Sequence, residues 1–209
     1  MARSLIGGLL EGGLKAENIR AFDPHPAALE RASELGAISL FNDLRQATQE
    51  TDIVVIAVKP QVVGEACEAM QGLIDVRDVL IISIAAGVNS SAVKSYFGER
   101  AQIVRCMPNT PAMIGLGVTG LFTNCSLSRE MLDAVEFLFN CVGSTHWVQN
   151  ESDLNIVTAL SGSGPAYFFL FVECLIDAAI KLGLDESTAI SMAKSTATGA
   201  SHMMLESAS

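Results

Sequence analysis

The chain has 209 residues, half of them hydrophobic, few of them aromatic, and a formal net charge of −10. That is enough apolar chain for one or two packed domains, and an acidic surface repels phosphodiester backbones, which argues against a nucleic-acid partner. The five cysteines, Cys67, Cys106, Cys125, Cys141 and Cys174, form no C-x-x-C pair and lie in apolar runs, so they read as packed, reduced thiols in a cytoplasmic setting.

Met1 to Gly13 reads as a helix ending at a glycine pair, and Gly7, Gly8 and Glu11 suit a packed helix better than a signal peptide. Ile19 to Asp23 is a short strand, Pro26 to Leu35 an amphipathic helix closed by Gly36, Ala37 to Leu40 another strand, and Leu44 to Glu50 a short helix. Ile53 to Val58 has no polar member and is expected to be a strand buried on both faces. Val62 to Leu73 is helical, Val79 to Ile84 is a second buried strand, Ser90 to Phe97 a helix, and Ile103 to Cys106 a third strand. Strands alternating with helices predict a doubly wound, mostly parallel, Rossmann-like sheet. After Pro111, Gly117 to Asn124 and Thr145 to Val148 are late strands around a helix from Arg129 to Cys141. From Glu151 onward only helical periodicity is found: Leu154 to Leu160, Pro165 to Leu182, and Glu186 to Leu205 with Asp185 as its cap. The chain thus divides into an α/β domain over 1–149 and an all-helical domain over 150–209. Glu173, Asp177 and Lys181 mark a polar stripe on the longest apolar helix, which reads as a bundle helix rather than a membrane span.

Three strand ends carry tailored turns: Lys59-Pro60-Gln61, Ala85-Ala86-Gly87 and Arg105 to Pro111. Open α/β sheets bind ligands at the carboxyl ends of their strands, so one shared crevice is expected. Ser161-Gly162-Ser163-Gly164-Pro165 breaks a helix with two glycines and reopens it with proline. The new helix start offers N–H groups to a carboxylate, and the break is equally a kink where helices of two subunits approach. His25, His146 and His202 have no catalytic spacing, and no pair has metal-ligand spacing.

Lys59-Pro60-Gln61, Ile84-Ala85-Ala86-Gly87, Arg105-Cys106-Met107-Pro108-Asn109-Thr110-Pro111 and Ser161 to Tyr167 resemble, in this order and spacing, the Δ1-pyrroline-5-carboxylate reductases, most closely the bacterial ones, over the whole chain. The resemblance implies a cytoplasmic enzyme of proline biosynthesis. It would reduce the cyclic imine of 1-pyrroline-5-carboxylate to L-proline with NADPH or NADH. It would assemble as a homodimer or larger homo-oligomer through the helical domain, without a membrane or nucleic-acid partner. The α/β domain would bind the dinucleotide, and the helical domain would serve substrate and dimerisation.

The family opens with a strand and a Gly-x-Gly-Asn-Met-Ala turn, of which Met1 and Ala2 look like the last two residues. Its Ser-Pro-Gly-Gly-Thr-Thr turn, which carries much of the substrate contact, would lie beyond Ser209, so no catalytic residue is assigned. A chain without both turns is expected to be inactive alone, and its apolar helical face to lower stability or cause aggregation.

By the same resemblance the cofactor meets Met1 and Ala2, then Asp23 and Pro24, then Asn42. It further meets Ala57, Val58, Lys59 and Pro60, the small residues Ala85, Ala86 and Gly87, and Asn109 near the nicotinamide ribose. Ala85 to Gly87 would also permit tight strand-to-helix packing, but the family places the dinucleotide here, which favours the cofactor reading. Asp23 stands about where an acidic residue meets the adenosine ribose, which favours NADH, yet it is also a common turn residue and many relatives use NADPH, so the preference stays open. The substrate would meet Glu151 at its amine, with Ser161, Gly162, Ser163 and Gly164 nearby. Asn155 departs from the family's usual Asp. The imine nitrogen can be protonated in solution, so the protein's task is positioning, which suits the poverty of candidate bases. Two competing readings are another two-domain NAD(P)-dependent reductase, such as a 3-hydroxyacid dehydrogenase, and a nucleotide-binding or dimerising fragment without turnover. The former normally uses a lysine base, and Lys181 and Lys194 lie outside any such motif.

Overall fold

Apolar runs bounded by glycine, proline and capping residues set the elements. The computed structural model describes residues 1–206. In chain order these form α1 (Ala2–Glu11), β1 (Arg20–Phe22), α2 (Pro26–Ser33), β2 (Ser39–Phe41), α3 (Leu44–Ala47), β3 (Ile53–Ile56), α4 (Val63–Met70), β4 (Leu80–Ser83), α5 (Ser90–Phe97) and β5 (Gln102–Met107). There follow β6 (Gly117–Phe122), α6 (Arg129–Asn140), β7 (Gly143–Trp147), α7 (Asp153–Val157), a π-helical turn (Thr158–Gly162), α8 (Gly164–Lys181) and α9 (Glu186–Glu206). Side-chain caps start several helices: Asp43 accepts from the Arg45 N–H, Ser128 from Met131, and Asp185 from Thr188. Hydrogen bonds from Thr188 and Ser187 hold the Asp185 carboxyl down at about 2.

The chain forms two compact units, Met1–Gly162 and a second that begins at Ser163. In the first, β3, β4 and β5 are parallel neighbours, β6 joins β5 antiparallel, and β7 pairs parallel with β6. The sheet is therefore mixed but mostly parallel, as the alternation of elements predicts. Strands β1 and β2 form a separate parallel pair. Alternation along β4 and β5 divides the core between the sheet's two faces. Leu80, Ile82, Val104 and Cys106 pack with residues of α1 and α6, whereas Ile81 and Ile103 pack with residues of α4 and α5.

One expectation fails at β3. Strand β4 is fully buried, but Ile53, Val54 and Val55 are only half-buried. The reason is position: β3 is an edge strand of the five-stranded sheet, so one side of it lacks a neighbour. In the second unit, α8 and α9 pack together. Residues Tyr167 to Phe171 of α8 are each 60–63 % exposed, so a broad apolar face is left uncovered. The helical stretch Asp153–Lys181 is long and apolar enough to cross a membrane by length and composition.

Helix α1 lies tight against the end of α6. A methyl group added at Gly8 would sit 2.8 Å from the backbone oxygen of Cys141 and also strike Val142. The backbone oxygen cannot rotate away, so Gly8→Ala should destabilise the chain by about 1–3 kcal/mol through overpacking. Urea unfolding with an unchanged slope and a lowered midpoint would show this. An unchanged midpoint would mean that α1 is free to shift.

Candidate functional site

Register brings the strand-end turns level. Ile56 pairs with Ser83, and Ser83 with Arg105, so the three parallel strands finish side by side. Beyond them lie Ala57 to Pro60, Ala85 to Gly87 and Met107 to Pro111. Val58, Lys59, Pro60, Ala86 and Gly87 are exposed, Ala57 is half-buried and Ala85 is buried. Gly87 adopts φ +74°, which a side chain would strain, and a methyl group there would meet nothing within 4 Å. Lys59 makes no ion pair among the described residues. An open turn of small residues beside an unpaired cation suits the backbone approach and charge of a dinucleotide.

The other expected cofactor residues are local to their own elements. Asp23 follows β1, and its Oδ1 accepts from the His25 N–H at 2.8 Å, a turn bond that leaves Oδ2 unengaged. Pro24 and Asn42 are exposed, and Met1 and Ala2 open α1, which packs against Thr110–Ile114. Hence Ala57–Pro60, Ala85–Gly87 and Asn109 share one edge of the five-stranded sheet. Asp23, Pro24 and Asn42 belong to the β1–β2 pair.

Two assigned residues are engaged within the chain. Glu151, expected at the substrate amine, accepts from the Ser90 N–H (2.5 Å), the Ser90 hydroxyl (3.1 Å) and Arg105 Nη1 (2.8 Å). It caps the first turn of α5 from a distance and neutralises a guanidinium that is almost wholly buried on β5. Asn109, expected at the nicotinamide ribose, is buried. Its amide nitrogen donates to the Ser161 carbonyl (2.9 Å), and its oxygen accepts from the Val118 N–H (2.8 Å). Arg105 and Ser90 were not assigned roles on sequence grounds. The signal for Arg105 is a lone charge inside an apolar strand, which demands a partner.

The glycine-rich break falls where expected: the helix is interrupted at Ser163, and α8 reopens at Gly164 with Pro165 in its first turn; the irregular geometry just before the break had no signal in the sequence. Thr158–Gly162 stays helical as a π-turn, and Ser163 keeps helical angles of φ −85°, ψ −21°. Polar groups freed by the irregular turn find partners nearby. The Thr158 hydroxyl donates to the Leu154 carbonyl (2.7 Å), the Ser161 hydroxyl to Val157 (2.9 Å), and Asn109 takes the Ser161 carbonyl.

A mostly parallel sheet with open small-residue turns along one carboxyl edge, followed by helices, defines a dinucleotide-dependent oxidoreductase with a helical second domain. Comparison with known proteins narrows this class. Residues 1–87 match the family model for NADP oxidoreductase, coenzyme F420-dependent, and residues 151–209 match that for pyrroline-5-carboxylate reductase dimerisation. The chain is 41 % identical to pyrroline-5-carboxylate reductase of Pseudomonas aeruginosa, over 99 % of this chain and 76 % of the relative. Its fold is similar to that of a pyrroline-5-carboxylate reductase from Coxiella burnetii, with TM-score 0.93 and 35 % identity, covering 100 % of this chain and 77 % of that one. It is also similar to the Plasmodium falciparum pyrroline carboxylate reductase with NADP bound, with TM-score 0.86 and 29 % identity, covering 99 % and 75 %. The chain belongs to the pyrroline-5-carboxylate reductase family.

Burial alone would raise the Glu151 pKa. Hydrogen bonds from Ser90 N–H, Arg105 and the Ser90 hydroxyl, with the charge of Arg105, outweigh burial and hold the carboxyl below its ordinary value. A lowered folded-state pKa contributes stability that is complete above the unfolded value of about 4.3 and is lost as pH falls through the lowered one. Removing the carboxylate strands a guanidinium whose side chain is 7 % exposed. Glu151→Ala should therefore cost about 3 kcal/mol at neutral pH. The stability gap between wild type and Glu151→Gln should shrink as pH drops below the ordinary glutamate range. Urea unfolding from pH 7 to pH 3 measures both, and a gap independent of pH would refute the ion-pair account.

Proposed function

We propose that this chain reduces the cyclic imine of 1-pyrroline-5-carboxylate to L-proline, with NADPH or NADH as hydride donor, as the last step of proline biosynthesis. The observation that supports this most is the level row of strand-end turns, Lys59-Pro60, Ala85–Gly87 and Met107–Pro111, in a chain of this family. The nicotinamide, when bound, supplies the hydride. The chain's own residues bind and orient. Ala86 and Gly87 allow the dinucleotide backbone close approach, Ala57, Val58 and Pro60 line its adenosine side, and Lys59 adds charge. Asp23, Pro24 and Asn42 stand as adenosine-side candidates, and Met1 and Ala2 as the start of the helix beside the phosphates. Ser161, Gly162, Ser163 and Gly164 are the substrate-side candidates, because glycine leaves backbone N–H groups approachable by a carboxylate. The acid–base demand is small, since the imine can arrive protonated. We place the working division between domains at residues 149–150, and the enzyme in the cytoplasm. The five cysteines, all free, are consistent with a reducing compartment.

The exposed face of α8 has its natural cover in a second copy of the chain, which the match to a dimerisation model supports. Phe169→Asp, at a residue 63 % exposed, should convert a dimer into monomer on size-exclusion chromatography, and an unchanged elution volume would exclude this face from the interface.

The direct test is oxidation of NADPH and NADH with and without 1-pyrroline-5-carboxylate. Oxidation that depends on the pyrroline supports the reading and ranks the two cofactors. No pyrroline-dependent oxidation, in a chain shown to be folded, would overturn turnover by this chain in favour of the nucleotide-binding or dimerising fragment without turnover.

A further inference from the structure

Three alternate residues at the end of β5 reach the same stretch of chain, from Glu151 to Gly162. Arg105 pairs with Glu151, which precedes α7. The Met107 methyl group lies where a side chain at Gly162 would come within 2.9 Å of it. The Asn109 amide binds the Ser161 carbonyl. Alternation along an extended segment turns residues 105, 107 and 109 to one side, and Asn109 keeps extended angles of φ −123°, ψ 171°. Asn109 also grips the opposite side of its turn, since its oxygen takes the N–H of Val118 on β6. The residue is 7 % exposed, so losing either bond leaves a polar group unpaired away from water.

The stretch so held is irregular. Residues Thr158–Gly162 form a π-turn, a geometry that is rare, occurs mostly as single turns and is frequent at functional sites. Such a shape persists where its surroundings over-determine it. The contacts that do so come from the turn after β5, which also borders the cofactor-side edge of the sheet.

We propose that Asn109 is a positioning residue that fixes the π-helical turn Thr158–Gly162 against the end of β5, with the Arg105–Glu151 pair as a second anchor. Asn109 thereby sets the separation between the substrate-side groups at 161–162 and the cofactor-side strand ends, while touching neither reactant. The consequence for turnover rests on the functional reading above; the anchoring itself does not. The amide is needed for two opposite jobs, donor to Ser161 and acceptor from Val118, which neither Asp nor a hydrophobic residue can do together.

Asn109→Asp keeps the acceptor and removes the donor, and the neutral Asn109→Ala serves if the buried carboxylate prevents folding. Backbone hydrogen exchange by mass spectrometry is the first readout. Faster exchange confined to 151–162, with β3 and β4 unchanged, is expected; an unchanged pattern in 158–162 overturns the proposal. Steady-state kinetics and NAD(P)H titration by fluorescence are the second. A displaced substrate side should lower kcat by about 10–100-fold with cofactor affinity held within about twofold. Weaker cofactor binding with kcat preserved would overturn the proposal and make Asn109 a cofactor contact. Normal turnover despite faster exchange would also overturn it. If wild type itself shows no pyrroline-dependent oxidation, the functional reading falls, and hydrogen exchange alone still decides the anchor.

Discussion

A guanidinium buried inside a sheet strand is the constraint around which the first unit is organised. Arg105 is 6 % exposed and sits between Ile103, Val104 and Cys106, all buried. Burying an unpaired charge is prohibitively costly, and an ion pair offsets that cost only with good geometry and further hydrogen bonds. The chain must therefore return a carboxylate to this point from 46 residues downstream. Glu151 does so, and its remaining capacity is taken by Ser90 at the start of α5. One side chain thus ties together a central strand, the helix that follows the neighbouring strand, and the first turn of the helical segment. The location of α7 follows from a charge-balance requirement at β5.

The same strand serves three purposes because its period is two. Val104 and Cys106 face α1 and α6, and Ile103 faces α4 and α5. Beyond Ile103, the residues on that side, Arg105, Met107 and Asn109, become contacts to the chain from 151 to 162. Burial pushes the Cys106 thiol well above its ordinary pKa despite the adjacent guanidinium, so it packs as a neutral hydrophobe. The turn Met107–Pro111 then ends the strand with two prolines, leaving few backbone donors to satisfy, and Asn109 is extended within it. Rigidity in that turn makes it a fixed reference from which Asn109 can grip both β6 and the π-turn.

The parts of the architecture visible in sequence were those with a strong local signal. Apolar runs marked β3 and β4, Pro26 and Gly36 bracketed α2, and Asp185 capped α9 as its side-chain chemistry suggests. The half-exposure of β3 was not visible, since an apolar run looks the same at an edge as at a centre, and only strand order separates them. The π-turn was hidden for another reason. Gly162 and Gly164 mark the break at Ser163 correctly, but the π geometry before it has its partners in the Thr158 and Ser161 hydroxyls and a remote asparagine, which no local pattern shows. Glu151 and Asn109 were legible as special polar residues, but whether a polar group faces a ligand or another part of its own chain is a long-range fact. Arg105 alone carried a readable hint, because a charge in a buried strand is never without a partner.

The helical unit poses the opposite problem, too much apolar surface in place of too much charge. Tyr167, Phe168, Phe169, Leu170 and Phe171 are consecutive, so they cover more than one side of α8, and packing α9 against one side leaves the others open. A single helix hairpin cannot bury residues on every side of one of its members. Its stability must then come from surfaces outside the hairpin, and where that surface belongs to a second copy, folding of the unit and association of the chain become one equilibrium governed by chain concentration. The acidic net charge works against that association only weakly, because Asp177 and Glu173 share a polar stripe with Lys181 and leave the aromatic run itself uncharged.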